Sequence, residues 1–271
     1  MAFDVDQEKN ELIRRSLMTS RTLGNIQVQP GIKHSASINI LTGNDIFQSG
    51  SCGWSASGDT AMTQRDITVC DIKKNEALCL NDLEKYYTSK AMAPGSYNET
   101  IPFEALYAEE VVGQTAKFVE KLSWQGDVAL ASSNNLSLCD GLLKVIDAEA
   151  SVVSVTGVVD AIDAMVDALP EDVAEATDLK VFLSISTFRT YLKALRDANL
   201  YAFDGSEQAS FTIPYYNSSD ITIVGVGGIP AGRAVLAESQ NLVAGTDLLS
   251  DAEDFKIFYS EDNDEVRVIQ K

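Results

Sequence analysis

Histidine is almost absent from this sequence, and its scarcity restricts the chemistry that the chain can perform. His34 is the only histidine among 271 residues, whereas acid–base catalysis near neutral pH most often uses this side chain. No carboxylate at a recognisable spacing would orient His34, so the sequence does not predict a Ser–His–Asp or Cys–His catalytic unit. We therefore predict no catalytic residues.

Cysteine is sparse and widely spaced. The four cysteines, Cys52, Cys70, Cys79 and Cys139, include no Cys-x-x-Cys pair and have no histidine close by. Zinc sites and redox pairs need closely spaced ligands, so we predict no metal site and no cofactor. Four free thiols are the expected state, as is usual in a reducing compartment.

Long apolar runs and basic residues are also lacking. No stretch approaches the roughly 18 consecutive apolar residues that suggest a membrane-spanning helix, and the acidic first residues do not resemble a signal peptide. The sequence contains 21 Lys and Arg against 40 Asp and Glu, a net charge of −19. Such a chain is poorly suited to grip a phosphate backbone through counterion release. We expect a soluble protein, made in the cytoplasm, with no membrane partner.

Charged residues are unevenly distributed along the chain. Residues 1–40 carry five basic and four acidic groups, whereas residues 127–178 carry eleven acidic groups and a single basic one. The first thirty residues, with Arg14, Arg15 and Arg21 among polar positions, predict an arm with at most a short helix. Because such an arm cannot bury itself, we expect it to need a partner.

Two extended segments follow the arm. Residues 36–48 and 64–72 are rich in β-branched residues with partial alternation, and the segment between them is rich in Gly and Ser. This pattern predicts a long two-stranded excursion. An isolated hairpin is marginally stable in water, so we expect its tip residues Phe47 and Trp54 to be covered by something else.

Helical periodicity is clearest between Pro102 and Trp124, with Gly126 as a stop signal. An apolar stripe at helical spacing lines one edge of this predicted helix: Tyr107, Val111, Phe118 and Leu122. Beyond it the pattern becomes α/β, and the chain closes with two short strands around an acidic turn. The predicted lobe contains helices over 158–169 and 187–198 and strands over 179–184, 211–215 and 221–224.

Two motifs invite a chemical interpretation. The glycines between Gly225 and Gly232 fit neither a dinucleotide fingerprint nor a phosphate-binding loop, because Pro230 and Arg233 occupy required positions. We predict a strand–turn–strand there, with glycines that allow positive φ. Carboxylates also share one helix face, at Asp160, Asp163, Asp167 and Glu171. They could hold calcium or act as acid and base, but a solvated helix face explains them more simply.

The order of these parts resembles the major capsid protein of tailed double-stranded DNA bacteriophages. The sequence agrees best with the family pattern in two segments, LKVFLSISTFRTYLKAL (179–195) and residues 223–260. In the second segment the match is carried by Asn241, Leu242, Gly245, Thr246 and Asp247. The resemblance implies an α+β capsid fold with an N-terminal arm (1–30), an extended β-hairpin loop (31–75), a peripheral domain with a long spine helix (76–126 and 246–271) and an α/β axial domain (127–245).

By implication, the chain would be a structural protein and not an enzyme, and it would self-assemble into hexamers and pentamers of an icosahedral head. This head would enclose double-stranded DNA without sequence-specific binding, as part of a virion assembled in the bacterial cytoplasm. Its partners would be other copies of itself, a portal, and scaffolding or decoration proteins. We predict contacts between subunits at five residues: Arg14, Arg15, Arg21, Phe47 and Trp54.

Three other functions remain open at this point. An encapsulin-type nanocompartment shell shares the architecture but encloses cargo enzymes. An acidic metal-assisted hydrolase would use the carboxylates at 160–171. A tail or head-completion protein is the third alternative.

Overall fold

The computed structural model describes residues 20–43, 47–50, 52–54, 58, 60–79, 103–149, 151–198, 211–216, 218–247, 256–260, 262–263 and 265–270. The strands within these ranges are β1 (Gln27–Gln29), β2 (Ser35–Gly43), β3 (Thr60–Thr68), β4 (Lys74–Cys79), β5 (Leu179–Ser184), β6 (Thr212–Tyr215), β7 (Ser218–Val226), β8 (Ala234–Glu238), β9 (Val243–Gly245), β10 (Lys256–Ser260) and β11 (Glu265–Gln270). The helices are α1 (Phe103–Gln125), α2 (Leu142–Glu149), α3 (Val158–Asp167), α4 (Glu171–Ala174) and α5 (Ile185–Asp197).

Helix α1 confirms the predicted long helix to within a residue at each end. Its 23 residues span roughly 34 Å at about 1.5 Å per residue. Val111 and Leu122 of the predicted apolar stripe are buried, and Phe118 is half-buried. Trp124, which the predicted stripe did not include, has no exposed surface at all. The C-terminal part of the helix is therefore buried on a wider surface than the predicted stripe.

A four-stranded sheet with the order β6-β7-β5-β8 forms the centre of the lobe. Strand β5 is a nearly continuous apolar run, as is typical of a strand covered on both faces. It pairs parallel with β7 and antiparallel with β8. Helix α5 follows directly, because the Ser184 side chain accepts a hydrogen bond from Thr187 N and caps the helix. Helices α3 and α5 pack with this sheet around one core cluster.

A second core cluster joins this sheet to the end of α1. The Trp124 and Phe182 rings lie 5.4 Å apart between centroids, and Ile26 and Ile229 are buried with them. The predicted strand–turn–strand is present at β7 and β8. Among the glycines of this turn, only Gly232 has positive φ, at 82°. Gly228 is required instead for close approach, because a Cβ there would lie 2.2 Å from the Glu120 carbonyl oxygen.

The predicted closing hairpin is also present, as β10 and β11, and it gains a third strand. Strand β4 pairs antiparallel with β11, which gives the sheet order β10-β11-β4. Side chains join this sheet to α1: Thr115 Oγ1 donates to Gln270 Oε1 at 3.0 Å, and Lys74 Nζ donates to Gln114 Oε1 at 3.3 Å. Residues 74–79 and the chain's last strands thus pack with the long helix, although they are far apart in sequence.

The expectation of four free thiols is wrong for two of them. Cys70 and Cys139 form a disulfide, with Cα atoms 6.0 Å apart and a sequence separation of 69. Cys52 and Cys79 are free and exposed. Sequence spacing could not reveal this pair, because the fold brings the end of β3 next to the segment that follows α1.

Candidate assembly surfaces

The β2–β3 hairpin is paired along its length but has little core of its own. The strands pair antiparallel from Ser35 opposite Thr68 to Gly43 opposite Thr60, which confirms the predicted two-stranded excursion. Nearly all of their residues are exposed on both faces. Leu41 and Met62 are 65% and 72% exposed. Leu41 lies directly opposite Met62 in the register, so the two side chains share one face of the ribbon. Adjacent large apolar side chains that are open to water are unusual for a finished surface.

Two aromatic side chains stand at the tip of this hairpin. Phe47 is 91% exposed and Trp54 is 96% exposed. Both were predicted as contact residues between subunits, and neither finds a place in its own chain. Aromatic rings each bury roughly 150–250 Å² when they are covered and dominate interface energetics. The tip therefore presents two exposed aromatic side chains that another surface could bury.

The base of the hairpin is fixed to the body of the protein. Val69 N donates to the His34 carbonyl oxygen at 2.9 Å, which joins the two legs of the hairpin at its base. Ile32 N donates to the Thr246 carbonyl oxygen at 3.0 Å, which links the base to the body. The backbone carbonyl of His34 thus contributes to structure here. The disulfide of Cys70 adds a covalent link just beyond β3. The hairpin leaves the body from a braced base.

A buried carboxylate holds the N-terminal segment on α1. Glu120 is only 7% exposed, and it accepts hydrogen bonds from Ser20 Oγ, from Thr22 N at 3.2 Å and from Thr22 Oγ1 at 2.6 Å. Trp124 Nε1 in turn donates to Thr22 Oγ1 at 2.6 Å. A buried charge is tolerated when hydrogen bonds satisfy it in this way. The contact fixes the point at which the N-terminal segment meets the long helix.

Sequence reasoning missed Glu120, although a signal was available. Ala116, Glu120 and Trp124 recur every four residues on α1, so a carboxylate stands within a buried stripe. Its partners lie about a hundred positions earlier in the chain, where no local pattern identifies them.

Of the three predicted arginines, the structure describes one. Arg21 Nη1 donates to the Gly225 carbonyl oxygen at 3.4 Å, and its guanidinium lies 4.3 Å from the centroid of the Phe211 ring. Its contacts are therefore with the lobe of its own chain. Arg14 and Arg15 lie outside the described residues.

An Ω-loop, residues 127–140, connects α1 to α2 and is tied together at its ends. Gly141 N donates to the Gly126 carbonyl oxygen at 2.8 Å. Lys144 Nζ bridges the two end residues of the loop, at 2.6 Å from Asp127 and 2.7 Å from Asp140. Hydrogen bonds from Lys144 hold the pKa of each aspartate below its ordinary value. A closed base of this kind is typical of a compact Ω-loop at the surface.

Apolar side chains of the Ω-loop point outward. Val128, Leu130 and Leu138 are 57%, 38% and 44% exposed. No residue from 128 to 139 is charged, although the surrounding segment is the most acidic of the chain. An uncharged apolar strip is where identical acidic chains can approach one another at least electrostatic cost.

One carboxylate of the predicted acidic face, Asp163 on α3, is hydrogen-bonded by two tyrosines, whereas Glu171 lies on the separate helix α4. Tyr215 and Tyr216 donate their hydroxyls to the two carboxylate oxygens of Asp163, at 2.7 and 2.9 Å. Burial and this hydrogen bond raise the pKa of Tyr215 far above its ordinary value. Within the described ranges, no group of three His, Cys, Asp or Glu side chains is arranged to hold a metal ion. Asp163 thus serves a tyrosine pair that joins α3 to the β6–β7 turn.

No described helix combines the length and the apolar character that crossing a bilayer would need.

The sequence itself matches no protein-family model, and no curated protein is significantly similar to it. Solved structures, in contrast, resemble the fold along almost its whole length. The satellite phage P4 procapsid, in a structure that includes the size determination (Sid) protein, matches with a TM-score of 0.57 and 14% identity, over 100% of this chain and 86% of that one.

The capsid of Myoviridae phage XM1 matches with a TM-score of 0.56 and 12% identity, over 91% of this chain and 83% of that one. A virus-like particle from Pyrococcus furiosus matches with a TM-score of 0.51 and 11% identity, over 99% and 92%. This mixed arrangement of helices and strands is therefore the fold of phage capsid proteins, as the sequence resemblance predicted.

Proposed function

We propose that this chain is the major capsid protein of a tailed double-stranded DNA phage, which assembles into hexamers and pentamers of an icosahedral head. The observation that carries the proposal is the likeness to phage procapsid and capsid structures over nearly all of this chain. In this assignment, residues 1–30 form the arm, 31–75 the extended loop, 76–126 with 246–271 the peripheral domain and 127–245 the axial domain.

Unburied surface supports a self-assembling role. Covering Phe47 and Trp54, which are 91% and 96% exposed, removes roughly 300–500 Å² of mostly apolar surface from water. At about 25 cal/mol per Å² this contributes about 8–12 kcal/mol before entropy is counted. Arg14, Arg15 and Arg21 complete the proposed set of contact residues. Arg21 contributes indirectly, because it holds the N-terminal segment on the lobe of its own chain.

Charge supports the same role. A shell should not adhere to the DNA that it encloses, and a net charge of −19 repels a phosphate backbone. The partners are other copies of the chain, a portal, and scaffolding or decoration proteins, and assembly takes place in the bacterial cytoplasm. The role is structural and involves no catalytic step.

Expression of the chain alone tests the proposal. We expect megadalton closed particles, visible by negative-stain microscopy and by native mass measurement. A compact monomer or small oligomer under all assembly conditions, with or without a co-expressed scaffold, would contradict it.

A second candidate is a nanocompartment shell of the encapsulin type. The match to a virus-like particle, which covers 99% of this chain and 92% of that one, favours keeping it. Particles purified from the native source distinguish the two, because a phage head contains double-stranded DNA and a nanocompartment contains protein cargo.

A further inference from the structure

The disulfide ties together two parts of the chain that are 69 positions apart in sequence. Cys70 lies two residues after the end of β3, where the hairpin returns to the body, and Cys139 lies at the end of the Ω-loop. Both cysteines are half-buried, so neither is enclosed in the core. The bond therefore connects the base of the hairpin to the loop that follows the long helix.

Each of the two parts has other contacts that keep its cysteine in place. At the base of the hairpin, Val69 N donates to the His34 carbonyl oxygen. Ile67 packs closely on Gly245, where a Cβ would lie 2.7 Å from Ile67 Cγ2. The Ω-loop is closed at its ends by the ion pairs of Lys144. Because none of these contacts uses sulfur, the fold holds the two cysteines near each other whether or not a bond joins them.

The proposed place of assembly conflicts with a permanent bond, because the bacterial cytoplasm is reducing and disulfides there are rare and usually transient. We infer that Cys70 and Cys139 form a redox latch. The two residues are thiols while the subunits fold and assemble in the cell, and they join after the cell has opened, which fixes the hairpin base to the Ω-loop. This latch rests on the proposed function, which makes the reducing cytoplasm the place of assembly.

Thiol–disulfide exchange supplies the closing step. A thiolate of the pair attacks one sulfur of a small disulfide, such as oxidised glutathione, and one glutathione thiolate leaves. The second cysteine then loses its proton and attacks the protein sulfur of the mixed disulfide, which forms the Cys70–Cys139 bond and releases the second glutathione. The two cysteine protons pass to the two released thiolates, and two electrons pass from the protein to the small disulfide. Since the fold holds the cysteines together, this second attack is intramolecular and fast.

The position of the latch gives it leverage over the exposed part of the hairpin. Strands β2 and β3 have nine residues each and extend about 30 Å at roughly 3.4 Å per residue. A rotation of about 10° at the base would therefore move their far end by about 5 Å. A covalent tie at the base restricts such rotation. Closing the latch after assembly should thus hold the hairpin in the orientation that it has in the particle.

The Cys52→Ser/Cys79→Ser chain tests the timing, because the latch pair supplies its only thiols. Cells that produce it are opened directly into denaturant with N-ethylmaleimide, and the adducts are counted by mass spectrometry. Particles from the same cells are incubated with oxidised glutathione, then denatured and labelled in the same way. We expect two adducts per chain from the cells and none from the oxidised particles, whose chains should still run as monomers on a non-reducing gel.

The urea concentration at which particles dissociate, followed by light scattering, tests the effect of the latch. Oxidation of the assembled particles should shift this midpoint to higher urea, and a reductant should reverse the shift. Particles of the matched control, Cys70→Ser/Cys139→Ser, should form as readily and show no shift with either treatment.

Three results would each overturn the latch and leave the proposed function intact. They are a chain from the cells that carries no adducts, thiols that stay open in glutathione-treated particles, and a midpoint that oxidation does not move or moves equally in the control. Absence of particles in both redox states, with and without a co-expressed scaffold, would instead contradict the proposed function, and the latch with it.

Discussion

Removing the Cys70–Cys139 disulfide should lower the free energy of unfolding substantially. The bond joins residues that are 69 positions apart. In the chain-entropy treatment, closing a loop of that size in the unfolded state contributes about 4 kcal/mol. This is a large fraction of the roughly 5–15 kcal/mol that stabilises an ordinary domain. The double variant Cys70→Ser/Cys139→Ser should therefore unfold at a much lower urea concentration.

Three further results should accompany this change. Without the bond the unfolded chain expands, so the dependence of unfolding free energy on urea should become steeper. Thiol labelling of the native, non-reduced protein should modify Cys52 and Cys79 only, because these are the free and exposed cysteines. Adding a reductant to the unsubstituted protein should bring its stability close to that of the double variant.

Cys52→Ser/Cys79→Ser is the matched control, since it replaces the same number of cysteines by serine and breaks no bond. We expect its unfolding curve to overlay that of the unsubstituted protein. If four thiols react in the native protein, or if both double variants are equally stable while the bond is intact in the control, the reasoning is refuted.

Three other changes probe separate features. Glu120→Gln weakens the buried hydrogen bonds to the N-terminal segment and should lower the free energy of unfolding in urea by about 1–3 kcal/mol. The control Glu110→Gln, on the exposed face of α1, should cause no measurable loss. Equal losses for the two variants would exclude a special role for the buried carboxylate. Lys144→Met should reduce the dependence of stability on acid: the two aspartates bridged by Lys144 have lowered pKa values, so their contribution is present above the unfolded value near 4 and is lost as pH falls through the folded value. Identical pH profiles for variant and parent would contradict that assignment. Deleting Ser49–Gly58 should leave a subunit with unchanged circular dichroism that forms no stable particles under microscopy, and normal particles would show that the tip is dispensable.

Local patterns were sufficient for much of this fold. Strand β5 was predicted at its observed bounds because a nearly continuous apolar run ends at a serine, which caps the next helix. The long helix, the hairpin and the closing strands followed from periodicity and turn residues in the same way. Their signals are local, so distant parts of the chain did not need to be known.

Long-range contacts account for what was missed. Strands β1 and β9 are three residues each and exist only because Gln27–Gln29 pairs with Val243–Gly245. Strand β4 is positioned by its pairing with β11. The Cys70–Cys139 bond forms because the packed Ω-loop brings the two cysteines together. The Ω-loop after α1 has a shape that no motif specifies. None of these can be deduced from a window of neighbouring residues.

The contrast between the chain's two tryptophans provides a pair of optical reporters. Trp124 has no exposed surface, and Trp54 is 96% exposed, so their indoles start in opposite solvent environments. Emission from Trp124 should shift to longer wavelength only when the polypeptide unfolds. Emission from Trp54 should shift to shorter wavelength when another molecule covers it. One unlabelled fluorescence spectrum can therefore follow folding and association as separate events.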